Sequence, residues 1–162
     1  MAAKHVMVLT VVLMVAALPT IQALTCAAPF KALDDKWCVV VNISVPDVAH
    51  PWLGARSACQ SIKGDLIILD KHEKLQALTA HLDTELTGER LTYSLWVGGR
   101  GYSGVWWWVD GRPMNLVSHL WIPEQPNIKQ GLSSTMLIKS GKRRHMVSVS
   151  NEQITPGYIC EK

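Results

Sequence analysis

Leu91-Thr92-Tyr93-Ser94-Leu95-Trp96-Val97-Gly98-Gly99 and the nearby Gly104-Val105-Trp106-Trp107-Trp108-Val109-Asp110-Gly111 decide the fold class. The first reads as a strand from Leu91 to Val97, closed by the glycine pair. The second alternates with period two, which puts Trp106 and Trp108 on one face and Trp107 on the other. Asp110-Gly111 is a turn signal. Two apolar extended segments this close together, each bounded by glycine, describe sheet rather than helix.

Working outward, Trp37 to Val45 (WCVVVNISV) is rich in β-branched residues and reads as a strand. Gly54 to Ile62 reads as a short helix carrying Cys59, and Asp65 to Leu69 as a buried extended segment. Asp70 is placed to cap the next helix, with Glu73 three residues on as in a capping box. Leu75, Leu78 and Leu82 recur at helical spacing and define that helix's core face. Asn115 to Ser133 has weak periodicity and reads as a long loop, of the kind that is usually functional or disordered. Thr135–Ile138, Met146–Ser150 and Tyr158–Cys160 follow as short strands, with Ser140-Gly141 turning between the first two. The expected class is α+β: two helices, antiparallel sheets and a long loop region.

The 162 residues have room for one ordinary domain. A net charge of +3 is far short of a nucleic-acid binder's footprint. Seven Trp against three Tyr and one Phe suit a compact, loop-rich fold. Lys4 and His5 precede an apolar run from Val6 to Leu18, which is too short for a bilayer span of about 20 residues. Pro19 ends the run, and Ile21-Gln22-Ala23 supplies a small residue for cleavage. The expectation is a signal peptide over 1–23, one domain over 24–162, and a secreted product without a membrane span.

In an oxidising compartment the four cysteines Cys26, Cys38, Cys59 and Cys160 suggest two disulfides. Their number allows three pairings, and their distribution favours Cys26 with Cys38 and Cys59 with Cys160. Asn42-Ile43-Ser44 is a glycosylation sequon. No arrangement supports an enzyme. His72-Glu73 does not extend to a metalloprotease motif, and Ser57 and Ser61 lack a nucleophile-elbow context.

Five segments, in order, resemble the C-type lectin-like domain family over essentially the whole mature chain. Cys26-Ala27-Ala28-Pro29-Phe30 running to Cys38 is similar to the N-terminal hairpin of the long form. Ala55-Arg56-Ser57-Ala58-Cys59 with Gly64-Asp65-Leu66 resembles the first-helix signature. Trp96-Val97-Gly98-Gly99 stands where the family has its WIGL-type motif, Trp106-x-Trp108-x-Asp110-Gly111 matches the next strand, and Tyr158-Ile159-Cys160-Glu161 matches the usual ending. The layout resembles the small soluble lectins of invertebrate innate immunity.

In sugar-binding members of the family, calcium is held by a tripeptide with a central proline, a downstream acidic residue and a Trp-Asn-Asp triplet, and the ion takes the sugar hydroxyls directly. Gln125-Pro126-Asn127 resembles that tripeptide. By the family's spacing the acidic ligand falls near Ser133 and the triplet near Val147-Ser148-Val149, so both carboxylates are missing. The inner disulfide, expected near Thr135 and Glu152, is missing too. The resemblance therefore implies a degenerate calcium site at Gln125 and Asn127, with Glu124 beside it as a further contact, while Trp107, on the opposite face of its strand from Trp106 and Trp108, is placed to stack on a sugar ring or a partner. A second candidate is the basic cluster Lys142, Arg143 and Arg144, followed by His145 and with Lys129 and Lys139 nearby, which would attract anions. The implied function is recognition of microbial surface glycans in innate immunity. The alternative is a calcium-independent module that binds a protein or an anionic polymer, such as a sulfated glycan, through the basic hairpin.

Overall fold

The computed structural model describes residues 23–43, 49–127, 133–150 and 152–162. Residues 1–22 of the expected leader, Ser44 of the sequon and Lys129 lie outside the described residues.

An N-terminal hairpin of β1 (Lys31–Leu33) and β2 (Trp37–Ile43) opens the fold. β3 (His50–Pro51) leads into α1 (Trp52–Ser61), followed by β4 (Asp65–Leu66), α2 (His72–Glu85) and a 3-10 turn over Gly88–Thr92. Then come β5 (Leu95–Tyr102), β6 (Val105–Trp108), β7 (Ser133–Ser140), β8 (Arg143–Ser150), β9 (Ile154–Thr155) and β10 (Gly157–Glu161). Among the described residues the main sheet runs β1-β2-β10-β5-β7-β8, with β4 added to β10 and β6 to β5, while β3 and β9 form a separate ribbon. Among the described residues all pairings between these named strands are antiparallel except β5 with β10. The α+β class is as expected.

Two apolar clusters hold the layers together. Leu75, Leu78 and Leu82 of α2 pack with Trp106, Trp108 and Leu137 of the sheet. Trp52, Cys59, Trp96 and Cys160 build the second cluster under α1. The alternation holds in β6, where Trp106 and Trp108 are buried and Trp107 is half-exposed. Cys26–Cys38 and Cys59–Cys160 are the disulfides.

Three local expectations are corrected. α2 starts at His72 without a side-chain cap, because the Asp70 carboxylate accepts instead from Arg112 Nη1 at 2.7 Å. Leu91 and Thr92 belong to the 3-10 turn rather than to a strand. Finally, Gly98-Gly99 does not end β5, which runs on to Tyr102. The glycines serve close approach. A Cβ at Gly98 would sit 2.7 Å from the Leu66 carbonyl oxygen and 2.9 Å from Val109 Cγ2. The backbone cannot retreat, since Gly98 donates to Ile67 O and accepts from Val109 N, both at 2.8 Å. We expect Gly98→Ala to destabilise the domain by about 2–3 kcal/mol through overpacking, read as a lowered urea midpoint. A loss below about 0.5 kcal/mol would mean that the strand gives way more easily than this packing allows.

Candidate functional site

The long loop is laced to β8. Ile122 N donates to Met146 O at 3.0 Å, and Met146 N to Leu120 O at 2.9 Å. This brings Gln125-Pro126-Asn127 against Ser148, the position where the resemblance implies a metal-binding asparagine. Gln125 Oε1 accepts from Ser148 N at 2.9 Å and also from the Ser148 hydroxyl. Ser148 Oγ in turn accepts from Asn127 N at 2.8 Å. The amide oxygen that would face an ion is therefore already committed to two donors. Ser133 is fully buried on β7, opposite Ser150, and Val149 lies opposite Ser134. Glu124 is exposed, on a backbone with φ +68°.

Calcium takes six to eight oxygens and draws its affinity from carboxylates. The donors gathered here are neutral amides and hydroxyls, and no group of three or more His, Cys, Asp or Glu stands together among the described residues. The residues present do not fit the ion.

The basic cluster sits on the β7–β8 hairpin, which is turned by Gly141 at φ +60°. Lys142 and Arg143 are exposed. Arg144 is not: it is 2% exposed and donates from Nη2 to Leu91 O at 3.1 Å, with Asp83 at 3.7 Å. Burial holds this guanidinium below the usual arginine range, and Asp83 acts in the opposite direction. Of the three cations in the cluster, two are therefore exposed, and Arg144 forms the wall behind them. Lys139 is paired with Asp83 at 2.8 Å.

Lys142, Arg143 and Arg144 share a groove of about 590 Å³ with His145, His72 at the start of α2, and His119 from the long loop. Leu75 and Leu120 form its apolar wall, and no carboxylate lines it among the described residues. The ring nitrogens His72 Nδ1 and His119 Nε2 are hydrogen-bonded at 3.0 Å. Neither histidine carries a local signal of a site in the sequence, because the two come together only through tertiary packing. An open concavity lined by cations and imidazoles suits phosphate, sulfate or carboxylate groups on an extended ligand.

Trp107 faces the opposite way and lines a separate, smaller cavity with Trp52, Arg56 and Arg100. Asn42 is exposed on β2, opposite Tyr158. Cys59 is disulfide-bonded, which removes it as a nucleophile.

The same layout recurs in solved structures. The cow C-type carbohydrate-recognition domain of CD23, solved with a GlcNAc2Man3 oligosaccharide, is 23% identical with a TM-score of 0.66, over 85% of this chain and 95% of that one. Human lithostathine is 17% identical with a TM-score of 0.68, over 90% and 95%. A calcium-independent type II antifreeze protein is 19% identical with a TM-score of 0.64, over 87% and 96%. At these identities the likeness is one of fold. No curated protein sequence matches the chain significantly. The family model of the Lectin C-type domain, however, matches residues 48–162, from just before α1 to the end of β10. With the helix signature, the Trp-Val-Gly-Gly strand and the closing Cys160 all inside that match, the chain belongs to the C-type lectin domain family.

Proposed function

We propose that this is a secreted lectin of innate immunity that recognises acidic glycans on microbial surfaces without calcium, through the groove between α2 and the β7–β8 hairpin. One observation carries the reading: Lys142 and Arg143 stand at the mouth of a groove that holds three imidazoles besides Arg144 and, among the described residues, no carboxylate. Family membership supports carbohydrate as the ligand class. The commitment of Gln125 to Ser148 supports a route that bypasses the ion. The leader-like N-terminus, the sequon at Asn42 and the two disulfides support secretion.

The test is binding of the mature chain to microbial and sulfated glycans at two salt concentrations, with calcium and with chelator. We expect chelation to leave affinity within about twofold. Raising salt from about 0.05 to 0.5 M should weaken it about tenfold or more, because exposed charges are screened beyond a Debye length of a few ångströms. Lys142→Glu with Arg143→Glu should cost at least about tenfold at low salt, since it turns attraction into repulsion at the mouth. Binding that vanishes on chelation would overturn the reading, as would retention of only neutral glycans. Silence towards every glycan would overturn it in favour of a protein ligand.

A further inference from the structure

Arg100 lies on β5 directly opposite Trp107 on β6, so the two side chains share one face of the sheet. Its guanidinium carbon stands 5.1 Å from the centre of the Trp52 ring, and that of Arg56 stands 5.7 Å from the same ring. Two cations therefore approach one indole. Their partners differ sharply. Arg56 is held by Asp65, with Nε to Oδ1 at 3.1 Å and Nη2 to Oδ2 at 3.0 Å, and it also donates to Val109 O at 3.1 Å. Arg100 has no carboxylate within ion-pair distance among the described residues, and its buried Nε has no hydrogen-bond partner.

Asp110, between the lining residues Val109 and Gly111, is occupied by Arg112, with Oδ2 accepting from Nε at 2.6 Å. Desolvation and then the neighbouring Arg56 charge push Arg100 below the usual arginine range. A half-buried, unpaired guanidinium is costly to fold, and charges in that state are usually paired or neutralised. Here the missing partner has a space waiting for it: a cavity of about 220 Å³ whose lining includes Arg100, Arg56, Trp52 and Trp107.

We infer that this cavity is a second ligand site, in which Arg100 takes the oxyanion of an acidic sugar residue, a uronate carboxylate or a sulfate ester, while Trp107 covers the face of the sugar ring. The chemistry follows from the parts. A guanidinium fork matches the geometry of two oxygens on a carboxylate or sulfate. With Asp65 already neutralising Arg56, the cavity carries one net positive charge and so selects a single anionic group. The indole at the wall gives an apolar surface for ring stacking. The site shares no lining residue with the hairpin groove, so it stands or falls separately from the reading above.

The experiment titrates the folded, oxidised chain with glucuronate, with glucose 6-sulfate and with glucose at constant ionic strength, following the indole N–H signals by NMR. We expect saturable shifts at Trp107 for at least one of the two acidic sugars, with glucose at least tenfold weaker, and the preferred acid identifies the oxyanion. Arg100→Gln should weaken that binding at least tenfold, whereas Lys142→Ala with Arg143→Ala should change it less than twofold. Arg100→Gln should also unfold at or above the wild-type temperature without ligand, since an unpaired desolvated charge is gone. Absence of saturation by both acids would overturn the inference, as would Arg100→Gln binding like wild type. If Arg100→Gln proves unstable, Trp107→Leu provides the second reading: unchanged affinity in it equally overturns the site.

Discussion

Replacing Cys59 and Cys160 together by alanine should lower the unfolding free energy by about 4–5 kcal/mol, measured by urea denaturation under oxidising conditions. The bond closes a loop with a sequence separation of 101, and the entropy it removes from the unfolded chain grows with loop length. Both cysteines are fully buried in the cluster with Trp52 and Trp96, so the truncation also leaves a small void there. The other bridge, Cys26–Cys38, has a separation of 12, and its removal should cost about 3 kcal/mol or less. That ordering is the sharper test, because nonspecific damage would not follow loop length. With domains stable by about 5–15 kcal/mol, loss of the long clasp takes a large share of the total. Equal losses from the two double variants would show that the clasp acts through something other than the length of chain it closes.

What the sequence disclosed follows from the range of each interaction. Leu75, Leu78 and Leu82, and the alternating Trp106 and Trp108, were legible because a helix and a strand repeat their inward positions at fixed spacing. The capping box at Asp70 and Glu73 failed because partners far away in the chain claim both carboxylates: Arg112 binds Asp70, and Lys36 stands 3.7 Å from Glu73. The Gly98-Gly99 pair looks like a strand end in the sequence, although a glycine inside a strand also marks close backbone approach, as at Gly98.

The binding surfaces divide the same way. Arg144 forms one charged run with Lys142 and Arg143, yet its burial is open to inference from the strand pattern. Met146 and Ser148 face inward from β8, and period two puts Arg144 on their side. In contrast, no local pattern joins His72 to His119 or Arg100 to Arg56, since each pair meets only when separate elements pack. The lack of carboxylates at Ser133 and Val149 is plain from the sequence, and their place in a calcium shell is what the resemblance implies. That Ser148 takes the Gln125 oxygen for itself is not legible there.

Lys74→Met should cost about 3 kcal/mol or more, the second large effect. Lys74 is 5% exposed on α2, and its ammonium donates to Glu161 Oε2 at the end of β10. The other Glu161 oxygen accepts from Ile68 N at 2.7 Å, so one carboxylate ties α2, β10 and the segment after β4 together. Methionine conserves most of the buried stem but leaves Glu161 beside apolar neighbours without its cation. Removing one partner of a buried pair costs about 3–5 kcal/mol, and the residual exposure of Glu161 places this case at the lower end. Glu161→Gln added to Lys74→Met should restore more than half of the loss, because the stranded charge is then gone while an amide oxygen still meets Ile68 N. The same helix supplies His72, Leu75 and Gln76 to the groove, which gives the variant a functional reading. Lys74 is not among the groove's lining residues, so at temperatures where Lys74→Met is fully folded its affinity for acidic glycans should match wild type within about twofold. A loss of affinity without a loss of stability would make Lys74 a residue that positions the groove; a loss of stability alone leaves it the tether that this geometry describes.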